Sequence, residues 1–258
     1  MAKKTDPIAV FDSGMGGISV LREMVRLMPE EDFIYFGDSK NAPYGTKTLE
    51  EVRSLTLSNI KYLLEVHHAK AIAVACNTAT SAAVRILREL YPEVPLVGVE
   101  PAIKPAVSCM DHPRVLVMAT PYTLNGDKFK NLKEVYQEQA VIEPLPCPGL
   151  MEFVERGVLY GEDLEYFLHE KMDPFLKDGI DAIVLGCTHY PFVRDTIQRI
   201  AGDEVLLFDG SLGTARELRR RIHAAGLEND AEHKGNVTFL NSTGDPGRIR
   251  LSLTLFNM

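Results

Sequence analysis

Short runs of apolar residues alternate along this chain with longer stretches in which apolar positions recur every three or four residues. Ile8 to Phe11, Phe33 to Phe36, Ala71 to Ala75 and Leu96 to Val99 are such runs. Val115 to Met118, Val141 with Ile142, Ala182 to Leu185, and Leu206 to Phe208 follow. Runs this short and this uniformly apolar predict strands buried on both faces. The stretches between them predict helices over 18–28, 49–65, from the third run through Leu90, then over 127–139, 162–177 and 215–225. Alternation of this kind predicts an α/β fold on mainly parallel sheets.

The two halves of the pattern rhyme. One strand ends at Phe11 and turns through Asp12-Ser13-Gly14; another ends at Met118 and turns through Ala119-Thr120-Pro121. A third ends at Cys76-Asn77-Thr78, and its counterpart at Cys187-Thr188-His189. This predicts two pseudo-symmetric α/β domains. The first is residues 1–97 with 209–258, hence discontinuous, and the second is residues 98–208. The return of the tail to the first domain is an inference from architecture; no motif in the tail requires it. Open parallel sheets bind ligands beyond the carboxyl ends of their strands, and all four turns lie at such ends. Domains facing each other would bring Cys76 and Cys187 to one cleft, the expected active site.

Charge narrows the partners. Lys and Arg number 28 against 36 Asp and Glu, a formal net charge of -8. A nucleic-acid groove needs a clustered basic surface, and the one basic run, Arg216 to Arg221, radiates around a helix. No nucleic-acid partner is expected. Asp6 and Pro7 interrupt any apolar signal core after Lys3 and Lys4, and no apolar run is long enough to span a bilayer. A cytoplasmic protein with no membrane partner is expected. Its four cysteines, Cys76, Cys109, Cys147 and Cys187, form no Cys-x-x-Cys, so neither a zinc knuckle nor a disulfide scaffold is indicated. In a reducing compartment they are small core residues or reactive thiols. Cys109 reads as packing. Cys147, between two prolines, reads as lining a strand-end loop without doing chemistry. His67 and His68 read as surface residues of a connection.

Taken singly, the remaining signals are bland. A cysteine ending an apolar strand is more often core than catalyst. Asp12-Ser13-Gly14-Met15-Gly16-Gly17 lacks the full dinucleotide fingerprint and a P-loop lysine. Cys187-Thr188-His189 is compatible with a metal site or a Cys-His hydrolase dyad, although no further ligands are spaced to complete a metal site. The combination, in matched positions, points to racemisation. Taking a proton from one face of a carbon and delivering one to the other suits two like groups, one protonated and one not, that exchange roles with direction. A free cysteine is only a few per cent thiolate at neutral pH. His189, as imidazolium or proton relay, is the candidate helper for Cys187. Asp12 has the wrong sign to stabilise a thiolate at Cys76 and is better cast as acceptor for a substrate ammonium or for the thiol. The strand-end turns offer N–H groups and hydroxyls for the carboxylates of a small zwitterion.

At these positions the chain resembles the glutamate racemase family of the aspartate/glutamate racemase superfamily. The segments are Phe-Asp-Ser-Gly-Met-Gly-Gly (11–17), Phe-Gly-Asp-Ser-Lys-Asn-Ala-Pro-Tyr-Gly (36–45), Ala-Cys-Asn-Thr-Ala-Thr (75–80) and Gly-Cys-Thr-His-Tyr-Pro (186–191). They are ordered and spaced as in that family. The resemblance implies interconversion of L- and D-glutamate without cofactor or metal, supplying D-glutamate for peptidoglycan and so for the cell wall and cell shape. It implies catalytic roles for Cys76 and Cys187, assisted by Asp12 and His189. It implies substrate contacts from Asp12, Ser13, Tyr44, Gly45, Asn77, Thr78, Thr120, Thr188 and His189. Asp38 and Glu155 match acidic positions near the family's site, and a homodimer is expected. Ser39-Lys40-Asn41 stands where Thr-Ala-Arg is more usual, and Cys147 to Glu152 departs from the common apolar sequence. No long extension precedes the first strand, so an activator site built from one is not expected. Two alternatives stay open at this point: a cysteine-pair racemase for aspartate or another amino acid, and a protein that binds an amino acid without chemistry.

Overall fold

The structure, a computed structural model, describes residues 2–258, with the backbone alone for Lys128. Met1, where the first domain was expected to start, lies outside the described residues. The chain divides into two units: one runs to Val99 and resumes over Ser211–Met258, and the other is Glu100–Gly210. The first opens with β1 (Ile8–Asp12), α1 (Ile18–Leu27), β2 (Phe33–Gly37), α2 (Leu49–Glu65), β3 (Ala71–Val74), α3 (Asn77–Leu90) and β4 (Leu96–Gly98). The second holds α4 (Ile103–Val107), β5 (Arg114–Ala119), α5 (Pro121–Asn125), α6 (Asp127–Tyr136), β6 (Val141–Pro146), α7 (Leu150–Glu155), α8 (Glu162–Leu176), β7 (Ala182–Leu185), α9 (Arg194–Ala201) and β8 (Leu206–Asp209). The chain then rejoins the first unit as α10 (Ser211–Ala224), β9 (Val237–Asn241) and α11 (Pro246–Phe256).

Each unit is a parallel sheet with helices between its strands. The first sheet has the order β4-β3-β1-β2-β9 and the second β6-β5-β7-β8. Read from the opposite edge, the second is β8-β7-β5-β6, the same order as β4-β3-β1-β2. β1 therefore corresponds to β5, β2 to β6 and β3 to β7. The match extends past the strands. Ala75 N–H donates to the Phe11 carbonyl and Gly186 N–H to that of Met118, both at 2.7 Å. Asp38 N–H donates to the Asp12 carbonyl at 2.9 Å and Cys147 N–H to that of Ala119 at 3.0 Å.

The central strands explain the continuous apolar runs. All five residues of β1 and all four of β7 are buried, and each fully buried aliphatic or aromatic side chain there contributes roughly 1.5–3 kcal/mol. On one face of the first sheet, Ala9, Phe11, Ile72 and Val74 join a core with Val52, Ile60 and Leu63 of α2 and Ala79, Ala83 and Leu87 of α3. α10 packs on α1, and α11 packs on α1 and β9. In the second unit, Val115, Val117, Ala182 and Val184 pack with Ile103 and Val107 of α4.

Helix starts are set by polar caps. Thr48 and Glu51 form a reciprocal capping box at α2. Cys76 caps α3, and Thr120 caps α5 ahead of Pro121.

Where the pattern was read differently, the reasons are local. The helix expected over 127–139 ends at Tyr136, and the extended Gly126 (φ -70°, ψ 148°) separates it from the unanticipated α5. α4, α7 and α9 span five, six and eight residues, too short for helical periodicity to register. The tail supplies β9, parallel to β2 with Phe33 opposite Val237. His67 is half-buried, its ring nearly perpendicular to that of Tyr62, whereas His68 is exposed as expected. Among the described residues no helix is long and apolar enough to cross a membrane.

Candidate active site

In the first sheet, β2 lies on one side of β1 and β3 on the other. The loops leaving β1 and β3 therefore flank the point where the winding reverses, the usual ligand position in such sheets. Asp12 ends β1, and its fully buried carboxylate turns back into its own loop. Its Oδ1 accepts from Ser13 N–H at 2.6 Å and Ser13 Oγ–H at 3.2 Å, and its Oδ2 accepts from Gly17 N–H. Gly17 is required by close approach, since a Cβ there would lie 2.8 Å from Asp12 Cβ and 2.9 Å from Ala75 Cβ.

Cys76 stands two residues beyond β3, 6% exposed. Its thiol donates to Ser13 Oγ at 3.4 Å, and Ala79 N–H donates to its sulfur at 3.5 Å. The first link completes a chain from thiol through serine to Asp12. The second sets the sulfur at the N-terminus of α3, where negative charge is favoured. Asn77 and Thr78 are buried in the first turn, and among the described residues Asn77 Oδ1 has no hydrogen-bond partner.

The loop after β2 contributes the buried Tyr44 and the half-buried Gly45, within a single 3-10 turn over Tyr44–Thr46. Tyr44 Oη–H donates to Asp38 Oδ2 at 2.7 Å. Burial first, then that bond and the Asp38 charge, hold the Tyr44 pKa far above the ordinary phenol value.

The second unit repeats the frame with different groups. Ala119 stands where Asp12 does, and Thr120 follows it, half-buried, capping α5 through Thr123 N–H at 3.3 Å. Cys187 stands two residues beyond β7, 7% exposed. Its sulfur lies 3.7 Å from His189 Nδ1, and His189 Nε2 lies 2.8 Å from Glu155 Oε1 on α7. Burial by itself would lower the His189 pKa, but the hydrogen bonds to Cys187 and Glu155 and their charges outweigh it and raise the pKa well above the ordinary value. An imidazolium there donates from one nitrogen to the sulfur and from the other to the carboxylate. Thr188, between the two, is buried.

Cys147, the first residue beyond β6, is pushed up to about 12 by burial and then by Cys187, with Lys171 opposing, so this thiol stays protonated. Tyr190 Oη–H donates to its carbonyl at 3.2 Å. Cys109 packs at the edge of the second core.

The candidates thus gather at the carboxyl ends of their own sheets. Asp12, Ser13, Tyr44, Gly45, Cys76, Asn77 and Thr78 lie in the first unit, and Thr120, Cys187, Thr188 and His189 in the second. Glu155, not Glu152, meets His189. Two residues outside the expected site set reach Asp38: Asn41, one of the departures within 36–45, by its Nδ2 at 3.0 Å, and Asn59 by its Nδ2 at 3.0 Å. Asn59 carried a legible signal, a polar residue on the apolar face of an amphipathic helix. Among the described residues no group of three or more His, Cys, Asp or Glu is arranged to hold a metal ion.

These residues fall within 8–218, the segment that matches the Asp/Glu/Hydantoin racemase family. A glutamate racemase of Clostridium perfringens is 52% identical over 255 residues, covering 99% of this chain and 98% of that protein. The solved glutamate racemase of Francisella tularensis, in complex with D-glutamate, is 30% identical with a TM-score of 0.84, covering 99% of this chain and 95% of its own. A glutamate racemase isoform from Bacillus anthracis superposes with a TM-score of 0.87 at 27% identity, covering 99% and 95%. Family match, full-length similarity and shared two-sheet architecture agree, and the chain belongs to the Asp/Glu/Hydantoin racemase family.

Proposed function

We propose that this protein is a glutamate racemase that works by two thiols, without a cofactor, and supplies D-glutamate for peptidoglycan. The observation that carries the proposal is the matched pair: two buried cysteines, each two residues beyond equivalent strands of two sheets with the same strand order. A single binding function has no need of such a pair, whereas proton transfer on two faces of one carbon does.

In one direction the thiolate of one cysteine takes the α-proton, and the electron pair left on the α-carbon is delocalised into the substrate carboxylate. The other cysteine, as thiol, delivers a proton to the opposite face. The thiolate and thiol have then exchanged places, ready for the reverse reaction. His189, held by Glu155, partners Cys187 in both states. Cys76 has Ser13, Asp12 and the α3 N-terminus. N–H groups of the Tyr44-Gly45 turn and donors at Asn77-Thr78, Thr120 and Thr188 hold the two carboxylates, Ser13 stands beside Cys76 with its hydroxyl on Asp12, and Asn77 Oδ1, without a partner among the described residues, accepts from the substrate ammonium.

The test is incubation with L-glutamate in deuterated water, with chelator present and pyridoxal phosphate shown absent. Decay of optical rotation to zero, with solvent deuterium at the α-carbon of both enantiomers, is expected. Folded protein that gives neither signal would refute the proposal, and the same assay with aspartate would then decide between another substrate and simple binding.

A further inference from the structure

Asp38 is a buried carboxylate, 1% exposed. Among the described residues no lysine or arginine pairs with it. Its charge is met instead by three neutral donors. Tyr44 Oη–H comes at 2.7 Å, Asn41 Nδ2 reaches both oxygens at 3.0 and 3.1 Å, and Asn59 Nδ2 reaches Oδ2 at 3.0 Å. Asn59 Nδ2 also lies 3.4 Å from Tyr44 Oη, as a donor to it. One amide nitrogen on α2 thus ties the carboxylate and the phenol together. Asn59 is the one member of the set that lies on a helix instead of in the loop. It stands seven residues after the buried Val52 and four before the buried Leu63, on the face α2 packs against the sheet. The loop's other side is fastened by the tail. Asn241 Nδ2 donates to Ser39 Oγ at 2.9 Å, and Lys40 N–H donates to Ser242 Oγ at 3.0 Å.

We infer that Asn59 is a positioning residue for the Pro43–Gly45 turn, acting through Asp38 and the Tyr44 hydroxyl to fix the turn where it holds substrate. The inference rests on the proposed role of Tyr44-Gly45 in substrate binding. The physical reason is the buried charge. A hydrogen bond to a charged group is worth more than one between neutral groups, and a buried carboxylate that loses a donor has no water to replace it. Asp38 without Asn59 would seek another donor, and Tyr44 would move with it. Because the turn binds and does not react, its loss weakens ground state and transition state alike, which raises KM and leaves kcat.

The experiment compares wild type, Asn59→Ala and Thr56→Val. Thr56 lies one turn earlier on α2, where its buried hydroxyl donates to the Val52 carbonyl and, among the described residues, to nothing else, so its variant loses a helix hydrogen bond with no link to the turn. Amide hydrogen exchange and steady-state kinetics on both enantiomers are measured. In Asn59→Ala, amides of 38–46 exchange faster while the rest of α2 keeps its protection, KM rises about tenfold and kcat stays within about twofold. Thr56→Val leaves KM and the 38–46 amides unchanged. Asn59→Ser, whose hydroxyl is too short to reach Asp38, carries the same expectation if the alanine variant does not fold. Unchanged exchange over 38–46 overturns the inference, as does faster exchange with an unchanged KM. Wild type silent on glutamate would sink the proposed substrate instead, and the exchange data would still decide whether Asn59 holds the turn.

Discussion

The two units place a cysteine at the same point of the same strand order and surround it with different chemistry. Around Cys76 the groups are a serine, a carboxylate turned away into backbone N–H donors, and a helix N-terminus. Around Cys187 they are an imidazole and, behind it, a glutamate. Ala119 occupies the Asp12 position, so the second unit has no carboxylate at its central strand end and brings one from α7 instead. The position after the adjacent strand differs too: Asp38 in the first unit, a thiol pushed up to about 12 in the second. The frame of the fold is duplicated, and the electrostatics are not. In the proposed mechanism the two thiols that exchange roles are thus poised by unlike means, and the two directions of reaction need not share a rate-limiting step.

The largest effect should come from removing either sulfur. Cys76→Ala and Cys187→Ala are each expected to lower racemisation by about 10³-fold in both directions, since each direction needs one base and one acid. Residual α-proton exchange with solvent should be confined to one enantiomer in the first variant and to the other in the second. Near-normal turnover in either folded variant would end the two-thiol mechanism. Exchange from the same enantiomer in both would deny that the thiols serve opposite faces.

The helpers should separate the units. His189→Ala is expected to cost about 10²-fold in kcat for the direction in which Cys187 is the base, and less in reverse. Ser13→Ala should cost about tenfold, with the opposite bias. The enantiomers have equal free energy, so kcat/KM must fall equally both ways. The bias is visible only in kcat at saturation, with KM moving to match. Equal kcat losses in both directions for both variants would make the two environments equivalent despite their different groups.

How much of this was legible beforehand follows from what each feature depends on. β1, β3 and β7 were plain because central strands of a parallel sheet are apolar on both faces, and that leaves a run no helix pattern imitates. The strand-end cysteines were visible because they follow those runs directly. α7 was not visible, since six residues give less than two turns of periodicity, and the motif placed Glu155 only near the site, so its meeting with His189 came from the structure. The Asp38 cluster was legible only in part: Asp38, Asn41 and Tyr44 share the 36–45 segment, whereas Asn59 comes from a helix, 21 residues beyond Asp38, and only the fold brings it to them. The tail was legible as structure, but its pairing with β2 depends on a sheet edge left open by the other strands.

The smallest expected effect tests the same contrast through stability. The folded pKa of His189 is raised above the ordinary histidine value of about 6.5, because the bonds to Cys187 and Glu155 outweigh the opposing effect of burial. A group raised on folding contributes stability that is fully present below its unfolded pKa and is lost as pH rises through the folded one. Glu155→Gln should therefore cost most in acid, about 3 °C in Tm near pH 6 for a loss of about 1 kcal/mol, and progressively less as the pH climbs through the folded pKa of His189. Ser13→Ala removes a hydrogen bond to the Asp12 carboxylate and one from the Cys76 thiol, with no histidine involved, and its Tm deficit should stay level over the same range. Thermal melts of the three proteins across that range check both expectations. A Glu155→Gln deficit that stays level would mean that His189 does not carry its charge beside Glu155, and the second unit would then hold its thiol without a neighbouring imidazolium.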